Sequence, residues 1–310
     1  MHIPLKPVVL VLVVASLLTA CSQKDDTEAP RQANASASTI VKIGHAGPTS
    51  GAVAHLGKDN ENGARLAVEE LNGAGVTIDG KKVTLELMAE DDAADPKQGT
   101  SVAQKLVDAK VAGVVGHLNS GTTIPASRLY SDAGVPQISP SATHPQYTRQ
   151  GFKTAFRLVA DDARLGATLG KYTVGTLKGK AIAVIDDRTA YGQGVADDFS
   201  KAVLAAGAKV VAKEFTADKA TDFRAILTTI KGKKADVIFF GGMDAVAGPM
   251  LKQMKSLGIT AKFVGGDGIC TEELMSLAGD AIVDDQVVCA QAGGVEGEGR
   301  ADLDAFKARY

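Results

Sequence analysis

Short β-branched runs recur along this chain, and each is followed by a segment with helical spacing. Parallel strands joined by crossover helices satisfy that alternation; a helical bundle or an antiparallel meander does not. TIVKIGHAG from Thr39, KVTLELMAEDD from Lys82, VAGVVGHL from Val111 and VPQISPSAT from Val135 read as four successive strands. Between the first two, Ala64, Ala67, Val68 and Leu71 share one helical face that stops at Asn72-Gly73. Asp95-Pro96-Lys97-Gln98 opens a second helix with an N-cap carboxylate, a first-turn proline and a glutamine at the third helical position. Pro125 lies in the third helix, and proline is tolerated where its missing N–H would be unpaired anyway. That helix is therefore expected to begin no earlier than about Thr122, leaving Asn119–Gly121 as a strand-to-helix elbow.

After the polar stretch HPQYTRQG (His144 to Gly151) the pattern restarts. Strands AIAVIDDR, AKVVAKEFT, ADVIFFGG, AKFVGGDG and QVVCAQAGG alternate with helices near Leu165–Thr176, Gly194–Ala206, Phe223–Lys231, Met250–Leu257 and Glu272–Leu277. The chain thus reads as α/β, with two doubly wound lobes, 39–161 and 162–291, and a return toward the first lobe beginning at 292–310. Right-handed crossovers put the loop after every strand on one edge of its sheet, the edge where open α/β sheets bind ligands. The loops to weigh are Gly47–Gly51, Asn119–Thr123, Ser139–Thr143, Asp187–Gly194, Gly241–Asp244 and Gly265–Gly268.

The N-terminus precedes this fold. Lys6 and the apolar run VVLVLVVASLL, Val8 to Leu18, form an export signal over residues 1–20 that is too short to span a bilayer comfortably. It ends in LTAC, which resembles a bacterial lipobox with Cys21 as the lipidated residue. Lipid chains on Cys21 would hold the protein at a membrane without a spanning helix. Residues 21–38, rich in Ala, Ser, Asp and Gln, cannot bury a core and read as a flexible tether. Ser22 after the cysteine resembles the outer-membrane sorting choice of enteric lipoproteins, so a lipid-anchored periplasmic location is expected. A net charge of −2 argues against a nucleic-acid partner. Cys270 and Cys289 are the cysteines that remain after lipidation, and the sequence leaves open both a disulfide and two free thiols.

Catalytic patterns are missing. GPTSG at Gly47 sets its serine one place late for a nucleophile elbow. The five histidines show no metal-ligand spacing, and YGQGVADD at Tyr191 lacks the third glycine of a dinucleotide fingerprint. No cofactor and no metal are expected. GHLNSGTT, Gly116 to Thr123, approaches a phosphate loop, but Thr122 stands where the lysine should be. A helix N-terminus with Ser120, Thr122 and Thr123 suits a single carboxylate, which needs two or three donors and no metal. The other reading of these hydroxyls is plain helix capping. Thr143 ends the next strand's loop, and Asp267 sits on a glycine turn of the opposite lobe. A carboxylate cradle facing a lone acid across a cleft complements a zwitterion, as in an α-amino acid.

GPTSG, DDAADPKQ, VVGHLNSGTTIPAS, ISPSATHPQYT, AIAVIDDRTAYGQG, FFGG, GGDG and LAGD, in this order, resemble the periplasmic substrate-binding proteins of branched-chain amino acid ABC importers, in lipoprotein form. The resemblance covers nearly all of the chain from Val41. It implies two Rossmann-like lobes joined by a hinge, the type I periplasmic binding protein or Venus-flytrap fold, acting as a non-enzymatic, monomeric solute carrier. Carried over residue by residue, Ser120 and Thr143 bind the α-carboxylate, the Ser141 carbonyl and the Asp267 side chain bind the ammonium, and Tyr191 closes over the ligand. The resemblance also implies ABC permease and ATPase subunits as partners. This chain departs from the enteric Leu/Ile/Val binders in four respects. Ala94 and Asn119 stand where those have cysteines, Leu56 and Met243 replace pocket aromatics, Asp267 replaces a glutamate, and the chain stops at Tyr310 where family members continue. An aliphatic, branched-chain L-amino acid such as leucine is the expected ligand, with Leu56 and Met243 packing on its side chain. An envelope sensor for amides, urea or small organic acids on the same fold is the alternative.

Overall fold

The computed structural model describes residues 39–291 together with Ala301, Asp304, Ala305 and Ala308. The expected signal peptide, Cys21, Ser22 and the tether lie outside the described residues, and the return segment 292–310 is described only at those four positions.

The first sheet is built from β1 (Thr39–Gly47), β2 (Thr77–Ile78), β3 (Lys81–Asp91), β4 (Val114–Gly116), β5 (Gln137–Ser139) and β6 (Ala155–Arg157), in the order β2-β3-β1-β4-β5-β6. Its helices are α1 (Ala54–Ala74), α2 (Pro96–Asp108), α3 (Ser120–Asp132) and α4 (Gln146–Arg149). The second sheet holds β7 (Ala181–Asp186), β8 (Lys209–Phe215), β9 (Val237–Gly241), β10 (Lys262–Gly265) and β11 (Val287–Cys289), in the order β11-β10-β9-β7-β8. Around it lie α5 (Asp162–Gly175), α6 (Ala190–Ala205), α7 (Arg224–Gly232), α8 (Asp244–Ser256) and α9 (Glu272–Ala278). All pairings are parallel except β2 with β3, a short hairpin arm.

Once that arm is set aside, the two sheets have one topology. In each, the first strand (β1 or β7) lies between the second (β3 or β8) and the third (β4 or β9), so the chain reverses direction across the sheet there. Two matching switch points result, the places where doubly wound sheets bind ligands.

Side-chain alternation builds the second lobe's core on both sheet faces. Val184, Phe239 and Val264 point to one side with Phe199 and Leu169, whereas Ile185, Phe240 and Phe263 point to the other with Leu227 and Met250. Strands buried on both faces are continuously apolar, and AIAVID and VIFFG show it. The Phe199 and Phe239 rings stack with centroids 3.9 Å apart. In the first lobe Ala46, Val102, Leu106, Val114 and Tyr130 form the core. Cys270 and Cys289 form a disulfide with Cα atoms 5.6 Å apart, joining the segment after β10 to the end of β11.

Helix starts differ from the sequence expectation. Helix α3 begins at Ser120 rather than Thr122, which puts Pro125 at its sixth position. Only the Gly121 carbonyl loses a donor by that arrangement, because one turn precedes the ring. Helix α8 repeats the feature, beginning at Asp244 with Pro249 sixth, well ahead of the expected Met250. Helix α6 starts at Ala190 and α5 at Asp162, ahead of Gly194 and Leu165. Within the polar stretch the structure adds α4, whose buried Tyr147 donates to the Gln137 carbonyl at 3.0 Å.

Candidate functional site

A cavity of about 170 Å³ opens between the C-terminal edges of the two sheets. Leu56, Ser120, Ser141 and Thr143 reach it from the first lobe, and Tyr191, Met243 and Asp267 from the second. All seven residues singled out in the sequence therefore line one space. The matching topologies explain how. Each lobe contributes the opening turn of the helix after its first strand (Leu56 in α1, Tyr191 in α6) and the start of the helix after its third strand (Ser120 at the head of α3, Met243 as N-cap of α8). The loop after its fourth strand completes the set, with Ser141 and Thr143 beyond β5 and Asp267 beyond β10.

The first lobe offers donors. Ser120 and Gly121 are first-turn residues of α3, so their N–H groups have no intrahelical acceptor and lie at the positive end of the helix dipole. The buried Ser120 hydroxyl accepts from the His144 N–H at 3.2 Å. The Thr122 and Thr123 hydroxyls both donate back to the Asn119 carbonyl, at 2.9 and 2.8 Å, and the Asn119 N-cap makes no side-chain capping bond. Beneath the loop, His117 anchors the arrangement through its carbonyl, which accepts from Ser139 Oγ at 2.7 Å and from Thr123 Oγ1 at 3.2 Å. Its ring is held between Asp92 Oδ2 (2.7 Å from Nδ1) and Tyr130 Oη (3.1 Å from Nε2), all three side chains fully buried. Sequence spacing argued only that His117 is no metal ligand; its role as a strut under two site loops is visible only in the fold.

The second lobe offers acid. Asp267 Oδ1 accepts from Tyr191 Oη at 2.8 Å, and the same phenol oxygen accepts from the Gly268 N–H at 3.0 Å. Asp267 faces the cavity but is enclosed on its other sides, and that burial pushes its carboxyl up despite the Tyr191 bond. The Tyr191 turn is held by Thr189, the α6 N-cap, whose hydroxyl accepts from Gly192 N–H at 2.9 Å and donates to Asp187 Oδ1 at 2.6 Å. Gly192 is required here, because a Cβ would fall 2.1 Å from Asp187 Oδ1 and 2.5 Å from the Gly241 carbonyl.

Three lining residues, Asp59, Asn60 and Leu118, and one buried acid outside the lining, Asp162, were not singled out by the sequence. Asn60, one turn after Leu56, lines the cavity and accepts from Ser141 Oγ at 2.9 Å. Leu118 adds apolar wall. Asp162, at the start of α5, has its N–H on the Thr143 carbonyl at 2.9 Å, while its fully buried carboxyl oxygens have no well-formed hydrogen bond. Burial pushes this carboxyl up to about 8; the nearby Thr143 hydroxyl restrains the rise and the neighbouring acids Asp267, Asp198 and Asp161 add to it. An acidic N-cap pattern at Asp161-Asp162 was readable, but the burial of the second acid was not. Among the described residues no group of three His, Cys, Asp or Glu could hold a metal ion, and no helix is long and apolar enough to cross a membrane.

Two matching doubly wound lobes with a small polar-ended cavity between their strand ends define a clamshell binding protein. Residues 40–310 match the family model described as periplasmic binding protein, and the chain belongs to that family. It is 43% identical over 240 residues to an amino acid binding protein of Pseudomonas aeruginosa, covering 77% of this chain and 63% of that protein. It is 38% identical over 273 residues to the leucine-, isoleucine-, valine-, threonine- and alanine-binding protein of the same organism, covering 88% of this chain and 72% of that one. A Leu/Ile/Val-binding protein homolog of Brucella abortus is 42% identical over 242 residues, 78% of this chain and 64% of the relative. For two of these three relatives the chain spans just under two thirds of their length. Among solved structures, the branched-chain amino acid transporter substrate binding protein LivJ of Streptococcus pneumoniae, in complex with isoleucine, aligns with a TM-score of 0.76 and 32% identity over 88% of this chain and 78% of its own.

Proposed function

We propose that this protein is the extracytoplasmic solute-binding component of an ABC importer, and that it binds an aliphatic L-amino acid between its lobes. The observation that carries this reading is the convergence of donors, acids and apolar walls on one cavity of about 170 Å³. That volume is close to the ~150 Å³ void that accommodates a benzene, and well below the roughly 300 Å³ or more of drug-sized pockets. The α-carboxylate sits at Ser120, the first turn of α3 and Thr143; the ammonium sits by the Ser141 carbonyl and Asp267. The side chain packs between Leu56, Leu118 and Met243.

The lobes, 39–161 and 162–291, close about the linker near Val159–Asp162, and closure expels water and strengthens each polar contact. The ligand favours the closed form only by its extra affinity for it. An ammonium placed beside Asp267, whose carboxyl is pushed up by burial, favours its ionised form. Delivery to permease and ATPase partners, and anchoring in the periplasm through Cys21, complete the proposal. The sequence resemblance, the family match and the naming of relatives as amino-acid binders support it.

Isothermal calorimetry with L-leucine tests the reading on Asp267→Ala. Loss of a charge-assisted contact is expected to weaken binding by more than about 1 kcal/mol. Unchanged affinity would remove Asp267 from the site.

A further inference from the structure

The lobes are also joined beside the cavity by a pair that the ligand does not need. His55, in the first turn of α1, places Nε2 2.7 Å from Asp244 Oδ2 at the head of α8, linking positions 189 residues apart. The two partners differ in setting. The His55 side chain is 31% exposed, whereas that of Asp244 is fully buried. Asp244 is also held in place from its own lobe. Thr271 Oγ1 donates to the same Oδ2 at 2.6 Å, and the Ala245 N–H donates to Oδ1 at 2.7 Å. A carboxylate at the first position of a helix gains from the dipole as well. The acceptor is thus preorganised, and His55 is the one group in the pair that arrives from the other lobe.

Its location gives it leverage. Leu56 follows His55 and Met243 precedes Asp244, and these neighbours line the cavity as apolar walls, one from each lobe. We propose that the His55–Asp244 pair is an interlobe latch that stabilises closure and fixes the Leu56–Met243 spacing, so that it limits the size of side chain admitted. The proposal rests on the amino-acid reading for its selectivity part alone. A solvent-exposed ion pair would be worth little, but Asp244 is fully buried and keeps its Thr271 and Ala245 donors when His55 is removed, so the loss is that of one charge-assisted interlobe bond rather than of an orphaned carboxylate.

The test compares wild type, His55→Ala, His55→Gln, Asp244→Asn and the Ala/Asn double variant. Small-angle X-ray scattering of the ligand-free proteins reads closure without any ligand. Calorimetry with L-alanine, L-valine and L-leucine reads affinity and selectivity. His55 is part-exposed on a helix surface, so its removal leaves the fold intact. His55→Ala is expected to give a more open ligand-free particle, leucine binding weaker by about tenfold or more, and a compressed alanine-to-leucine discrimination. His55→Gln, which keeps a donor, should recover most of both, and the double variant should be little worse than either single one. Wild-type scattering and affinities for His55→Ala overturn the latch, as does a double variant whose losses add. If wild type binds none of the three amino acids, the functional reading fails while the ligand-free scattering still decides the latch.

Discussion

Replacing Asp162 by Asn should change how stability depends on pH in a direction that is counter-intuitive for an acid. In the unfolded chain this carboxyl ionises near its ordinary value of 3.8, whereas in the folded protein burial holds it up at about 8. Between those values the folded state keeps a proton that the unfolded state has released. Stability contributed by the neutral form is therefore present at low pH and lost as pH rises, at about 1.4 kcal/mol per pH unit, until the folded group also ionises. From pH 5 to 8 the loss attributable to this one residue sums to about 4 kcal/mol at most. Asn has the same shape and cannot titrate. Its buried amide brings a constant offset for unmade hydrogen bonds, roughly 1–3 kcal/mol, but no slope. The assay is urea unfolding of ligand-free wild type and Asp162→Asn at pH 5, 6, 7 and 8, and the informative quantity is the difference between the curves. Asp187, pushed up by burial to about 6, titrates in both proteins and cancels. A variant that gains steadily on wild type with rising pH supports the placement. A flat difference would mean that Asp162 ionises as an exposed acid does, and would refute its burial without partners.

Other expectations follow from single features. Replacing Cys270 and Cys289 by Ser opens a loop with a sequence separation of 19. It should lower stability by about 3 kcal/mol, read as a shifted urea midpoint that dithiothreitol reproduces in wild type. Gly192→Ala puts a Cβ 2.1 Å from Asp187 Oδ1 at the turn that carries Tyr191. The expected result is a destabilisation of roughly 1–3 kcal/mol together with weakened leucine binding; wild-type behaviour in both would show that the α6 turn adapts without cost.

Much of the fold was legible because strands buried on both faces have to be written as unbroken apolar runs, and AIAVID and VIFFG are such runs. The starts of the helices facing the cavity were harder to see. The first turn of α3, Ser-Gly-Thr-Thr, has a composition that imitates a loop, and the glycines flanking the starts of α6 and α8 do the same. Pro125 and Pro249 deepened the illusion, since each sits just past the turn that touches the cavity. Residues named by motif, such as Ser120, Thr143 and Asp267, came from order along the chain and from resemblance. Asn60, Asp162 and the His55–Asp244 pair did not, because each depends on which side of a helix meets the opposite lobe or the neighbouring loop. No periodicity in one segment encodes that.

The central claim is that donors of the first lobe and acids of the second clasp both ends of a zwitterion. Calorimetry against L-leucine, 4-methylpentanoate and 3-methylbutylamine tests it most directly, since these keep the same branched side chain and differ in whether the ammonium or the carboxylate is present. Leucine should bind strongly and each truncated analogue should bind at least a hundredfold more weakly. Equal binding of 4-methylpentanoate and leucine would contradict the account by showing that the acids recognise nothing.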